Sequence, residues 1–98
     1  MKQNIKANLL FNQAYELAYG NSERSKRPWK GIFSTWSESA ALGHKRSMFY
    51  VGTCYDFGLG VKKDLKKAFE FYLKAAKLGH RDSQYNVGCF YSIRLQLL

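Results

Sequence analysis

A shift of 36 residues lays FSTWSESAALGHKRSMFYVGTCYDF, beginning at Phe33, on FEFYLKAAKLGHRDSQYNVGCFYSI, beginning at Phe69. The identities pair Phe33 with Phe69, Ala40 with Ala76, Leu42 with Leu78, Gly43 with Gly79 and His44 with His80. They continue through Ser47 with Ser83, Val51 with Val87, Gly52 with Gly88 and Tyr55 with Tyr91. Chance alignment of such a window would give about two matches. A fixed period of this length marks a chain of stacked supersecondary units, each unable to bury its apolar face alone.

Within one period the spacing predicts helix, turn, helix. Ser47, Val51, Gly52 and Tyr55 recur at steps of three and four residues and so share one helix face. Gly58 and Gly60 stop that helix, because glycine weakens helix interiors and supplies the backbone freedom of a tight turn. Asp64 is placed to cap the next helix, in which Leu65, Ala68, Phe69, Tyr72, Ala75 and Ala76 again follow helical spacing, and Gly79 ends it. Gly52 and Gly88 lie inside helices, where glycine costs about 1 kcal/mol relative to alanine, so both predict a close helix–helix approach. Ala40, Ala76, Ser47 and Ser83 serve the same closeness.

These residues resemble the Sel1-like repeat, a relative of the tetratricopeptide repeat. The matching pattern is Ser47, Val51-Gly52, Tyr55, Gly58-Leu59-Gly60-Val61, Asp64, Lys67-Ala68, Tyr72, Lys74-Ala75-Ala76 and Gly79. The resemblance implies an all-α solenoid of about two and a half helix-turn-helix repeats. Residues 1–25 form a degenerate N-terminal capping helix and loop, and residues 26–98 the repeat region, with an intact repeat at 44–79 and a partial one at 80–98. Upstream, Ser22 and Arg24 replace the turn glycines and Pro28 stands where Asp64 does; proline is well tolerated in a first helical turn. Downstream, Arg94 and Gln96 replace the glycines, and exposure of Leu95, Leu97 and Leu98 would favour self-association through the C-terminal helix.

The resemblance further implies that the first helix of each pair lines a concave surface that binds a protein or peptide. Groove positions carried over from the related repeats are Arg46, Phe49, Thr53, Asp56 and Phe57 in one repeat, and Asp82, Tyr85, Cys89, Ser92 and Ile93 in the next. Phe49 and Tyr85 are the expected anchors, since aromatic residues dominate interface hot spots; packing between repeats is the alternative role for each.

Sixteen Lys and Arg against seven Asp and Glu give a net charge of +9, which favours a partner of acidic character. The densest basic runs, RSKRPWK at 24–30 and KKDLKK at 62–67, admit a second reading as a module for nucleic acid or anionic lipid. No nucleic-acid signature accompanies them, and solvated surface accounts for both runs. A third reading is a fragment of a longer array without function of its own.

An enzyme is not expected. His44 and His80 occupy equivalent turns one repeat apart and have no acidic or cysteine residue at ligand spacing, so no metal and no cofactor is called for. Cys54 and Cys89 differ from the repeat offset by one position and point in different directions, against both a disulfide and a supported nucleophile. With no signal-peptide core and no run of membrane-spanning length, the chain reads as soluble, with the cytoplasm as the expected compartment and export by a route needing no such signal left open.

Overall fold

The computed structural model of the chain describes residues 2–20, 26–90 and 92. The described residues form α1 (Lys2–Tyr19), α2 (Trp29–Ala41), α3 (Lys45–Phe57), α4 (Leu65–Lys77) and α5 (Arg81–Cys89), without strands. Each helix packs on the next in sequence, from α1 on α2 to α4 on α5. This is the expected all-α helical repeat. No helix among the described residues is long and apolar enough to cross a membrane.

The period is visible in the backbone. Leu42 and Leu78 close α2 and α4 at φ −87° and −89°, Gly43 and Gly79 follow at +91° and +90°, and His44 and His80 turn extended at −77° and −74°. Each histidine then caps the following helix: Nδ1 accepts the amide of Ser47 at 3.2 Å or that of Ser83 at 3.2 Å. Asp64 caps α4 as expected, accepting from the Lys67 amide at 3.0 Å. At the α3–α4 turn Gly58 takes the left-handed conformation, and the Leu59 amide donates to the Cys54 carbonyl at 2.9 Å. Gly60, at φ +73°, has no room for a side chain because the Trp29 carbonyl occupies the space a Cβ would fill.

The apolar stripes meet in two clusters. Phe11, Ala14 and Ala18 of α1, Ile32, Trp36 and Ala40 of α2, and Val51 and Cys54 of α3 form the first. Ala68 and Tyr72 of α4 form the second with Phe90, flanked by Phe49, Tyr55, Phe69 and Val87. A buried serine relay ties three helices beside the first cluster. Ser47 Oγ donates to Ser39 Oγ at 2.7 Å, and Ser39 Oγ donates to the Ala7 carbonyl at 2.7 Å. One period on, Ala75 replaces Ser39 and the relay is absent.

The two helical glycines separate. A Cβ on Gly52 would stand 2.8 Å from the ring of Tyr72 and 3.2 Å from the Ala68 carbonyl, so the close approach expected there is present. Gly88 is a correction: among the described residues nothing lies within 4 Å of its Cβ position, α5 being the last helix described. Leu65, expected on the packed face of α4, is 39% exposed at the first position of that helix. Ser22, Arg24, Tyr91 and residues 93–98, on which the degenerate first turn and the C-terminal self-association depend, lie outside the described residues.

Candidate protein-binding groove

The odd-numbered helices run side by side along one face and enclose a groove of about 570 Å³. From α3 come Phe49, Tyr50, Thr53, Asp56 and Phe57. From α5 and its C-cap come Asn86, Cys89 and Phe90, while α1 gives Tyr19 and α4 gives Tyr72. Helical spacing explains the α3 set: positions 49, 53 and 56 fall on one stripe and 50 and 57 flank it.

Tyr72 and Asp56 join the groove to the core. The Tyr72 hydroxyl donates to Asp56 Oδ2 at 3.1 Å and reaches Thr53 Oγ1 at 3.4 Å, while Thr53 donates to the Phe49 carbonyl at 3.1 Å. Asp56 is thereby only 8% exposed. The preceding repeat lacks this arrangement. Trp36 stands one period before Tyr72, but Leu17 and Gly20 stand where Thr53 and Asp56 would be, and the buried Trp36 Nε1 has no hydrogen-bond partner among the described residues.

The aromatic walls contact one another. Phe49 meets Tyr50 edge-on at 5.1 Å, Tyr72 at 5.6 Å and the His80 imidazole at 4.8 Å. Tyr50 stacks on Trp36 at 4.7 Å, and its hydroxyl is held above its usual pKa first by burial and then by Tyr15, with Arg46 opposing. Tyr72 packs against Phe90 at 5.7 Å. Phe49 is therefore both a wall of the groove and part of the packing between repeats.

Five of the expected positions, Phe49, Thr53, Asp56, Phe57 and Cys89, line this groove. Four others do not. Arg46 is exposed and lies over the Phe11 ring at 4.5 Å. Asp82 and Ser92 are exposed outside it, and so is Tyr85, at 74% exposure. Ile93 lies outside the described residues. Residue spacing missed Tyr19, Tyr50, Tyr72, Asn86 and Phe90 as lining groups. Tyr50 and Asn86 are one period apart and adjacent to the paired Phe49 and Tyr85, so the repeat itself carried a signal for both.

Cys54 and Cys89 are free thiols. Cys54 is buried, and desolvation pushes its pKa up to about 12. Among the described residues no cluster of His, Cys, Asp or Glu is arranged to hold a metal.

The Sel1 repeat model matches residues 45–80 and 81–94. The chain belongs to the Sel1 repeat family. Among solved structures, a Sel1 repeat protein from Oxalobacter formigenes aligns over 91% of this chain and 35% of its own, with a TM-score of 0.78 and 21% identity. Immunity protein Pa5087 from Pseudomonas aeruginosa aligns over 87% of this chain and 32% of its own, with a TM-score of 0.74 and 29% identity. The chain thus spans about a third of the length of either structure. Comparison with curated proteins gives no match. Sel1 repeats generally mediate protein–protein interaction, and the proteins built from them are generally non-catalytic scaffolds.

Proposed function

We propose that this chain is an adaptor that binds a partner protein or peptide in the groove between α1, α3 and α5. The observation that carries this reading is the convergence of Phe49, Thr53, Asp56, Phe57 and Cys89, all carried over from the groove positions of the related repeats, on a groove whose walls are mainly aromatic. Aromatic side chains offer large contact area at little conformational cost, which is why they anchor interfaces. Phe57 is the most telling of them. It lines the groove yet is 62% exposed, so its ring is held at the surface without a role in the core. Exposure of that kind of apolar area marks interaction surfaces.

The +9 charge supports a partner of acidic overall character, since Lys62, Lys63, Lys66, Lys67, Lys74 and Lys77 are all exposed along the α3–α4 turn and α4. They lie outside the groove and act on encounter rather than on the anchored contact.

The reading is tested by affinity capture with wild type, Phe57→Ala and Tyr85→Ala, followed by mass spectrometry and a binding titration on the recovered partner. Phe57→Ala is expected to weaken binding about tenfold or more, as loss of an aromatic anchor does. Tyr85→Ala, a large exposed aromatic outside the groove, is expected to have a much smaller effect. Equal affinity for wild type and Phe57→Ala, or a larger loss in Tyr85→Ala, would remove the groove from the binding site.

A further inference from the structure

We infer that the edge of the array formed by the first turns of α2 and α4 and the turn before α4 binds an anionic lipid surface. Two basic runs a full period apart in sequence meet there. The Trp29 carbonyl fills the Cβ position of Gly60, and the Lys30 amide lies 2.8 Å from that position. Lys62 and Lys63 follow Gly60 directly after Val61, and Lys66 lies in the first turn of α4, so these lysines share one edge with Lys30 at the start of α2. The charges also keep the repeat register, since Lys26, Arg27 and Lys30 fall one period before Lys62, Lys63 and Lys66.

Residues 26–30 and 62–67 together carry seven cations against one acid, Asp64, which already accepts from the Lys67 amide at 3.0 Å. The next acid along α4, Glu70, lies one turn beyond Lys66. Lys30, Lys62, Lys63 and Lys66 are exposed, and among the described residues none of the four forms an ion pair. Like charges gathered in this way repel one another, and a surface rich in anions relieves all of them at once.

The composition of the edge selects lipid over other polyanions. Its cations are lysines apart from Arg27. A lysine is a hydrated point charge on a flexible stem, suited to a diffuse layer of headgroups, whereas arginine supplies the bidentate contacts that read nucleic acid. Trp29 packs against the first core cluster and has the Arg27 guanidinium over its ring at 5.9 Å, so it is no open platform for stacking a base. Leu65, one period after Trp29, is 39% exposed and flanked in sequence by Lys63 and Lys66. An apolar tip among lysines matches the boundary between headgroups and acyl chains. None of Lys30, Lys62, Lys63 and Lys66 lines the groove, so this inference stands or falls separately from the adaptor reading.

The test is co-sedimentation of the 98-residue chain with phosphatidylcholine vesicles containing either no charged lipid or about one-third phosphatidylserine, at about 0.1 M salt. Binding is expected to the phosphatidylserine vesicles alone and should weaken steeply as salt rises. The triple variant Lys62→Gln, Lys63→Gln, Lys66→Gln should lose on the order of a hundredfold in affinity, because each lysine near an anionic surface contributes about fivefold. Lys45→Gln, Lys77→Gln, Arg81→Gln removes the same charge at the opposite helix ends and should lose less than about tenfold. Leu65→Ser keeps every charge and should lose severalfold. Phe57→Ala should bind vesicles as wild type does. Equal losses from the two triple variants would reduce the effect to net charge and overturn the inference, as would binding to uncharged vesicles or full binding by Leu65→Ser. Loss of binding in Phe57→Ala would move the lipid to the groove and overturn it as well. Displacement of the chain from the vesicles by a uridine oligonucleotide or by polyglutamate, at equal concentration of anionic groups, would overturn it in favour of nucleic acid or an acidic protein segment.

Discussion

Replacing Ser39 with alanine should destabilise the fold by about 1–2 kcal/mol. Ser39 is fully buried, accepts from Ser47 Oγ at 2.7 Å and donates to the Ala7 carbonyl at 2.7 Å. Each buried neutral hydrogen bond contributes roughly 0.5–1.5 kcal/mol net, and an orphaned buried hydroxyl costs a further ~1 kcal/mol or more. The orphan cost is offset, because the Ser47 hydroxyl can turn toward His44 Nδ1 at 3.0 Å, which leaves the lower half of the roughly 1–3 kcal/mol of the two lost bonds. For a domain of this size the expected fall in Tm is roughly 5–12 °C. The measurement is a thermal melt followed by circular dichroism, with Ser47→Ala and the double variant completing a cycle. Coupling predicts that the double variant loses about 0.5–1 kcal/mol less than the two single losses together. Ser83→Ala serves as the internal comparison, since Ser83 Oγ contacts His80 Nδ1 at 2.9 Å but has Ala75 where Ser39 would be. It should cost about 1 kcal/mol or less. A Ser39→Ala melt indistinguishable from wild type, or strict additivity with Ser47→Ala, would refute the relay as a source of stability.

The two helical glycines should respond with opposite signs. Gly52→Ala forces a Cβ against the Tyr72 ring at 2.8 Å and should lower stability by about 1 kcal/mol after the gain in helix propensity is counted, whereas Gly88→Ala meets nothing within 4 Å among the described residues and should raise it by about 0.5–1 kcal/mol; melts of the two variants check both. Stability should fall on mild acidification. Burial, and then Arg46, holds the pKa of His44 below 6.5, and burial likewise lowers His80. The unfolded chain therefore takes up protons first, and stability present above about pH 6.5 is lost as the pH falls through that value toward the lower folded pKa values. Urea unfolding at pH 7.5 and 5.5 reads this directly, and His44→Asn, which keeps a capping group that does not titrate, should flatten the slope. With burial pushing the Cys54 thiol up to about 12, iodoacetamide at pH 8 should leave Cys54 unmodified in the folded chain and alkylate it only under denaturant, as peptide mass mapping would show.

Residue spacing already carried the architecture. The 36-residue period, the helical steps through Ser47, Val51 and Tyr55, the cap at Asp64 and the turn at Gly58 and Gly60 all depend on backbone preferences within a few residues of one another, and all reappear in the fold. The family resemblance located part of the groove, because Phe49, Thr53, Asp56, Phe57 and Cys89, carried over from the related repeats, line it. What the period could not supply is how an imperfect array departs from its own symmetry. Gly52 and Gly88 are equivalent in register, yet among the described residues only Gly52 has a helix pressed against it. Phe49 and Tyr85 are equivalent in register, yet one is a wall of the groove and the other stands 74% exposed. The Tyr72 to Asp56 bond has no counterpart at Trp36, and the Ser47 to Ser39 bond has none at Ser83, because the partners differ on a neighbouring helix one period away. Local spacing determines that each helix forms and which side is apolar; burial, hydrogen-bond completion and the shape of the groove depend on side chains brought together from other repeats, and those contacts exist only after stacking.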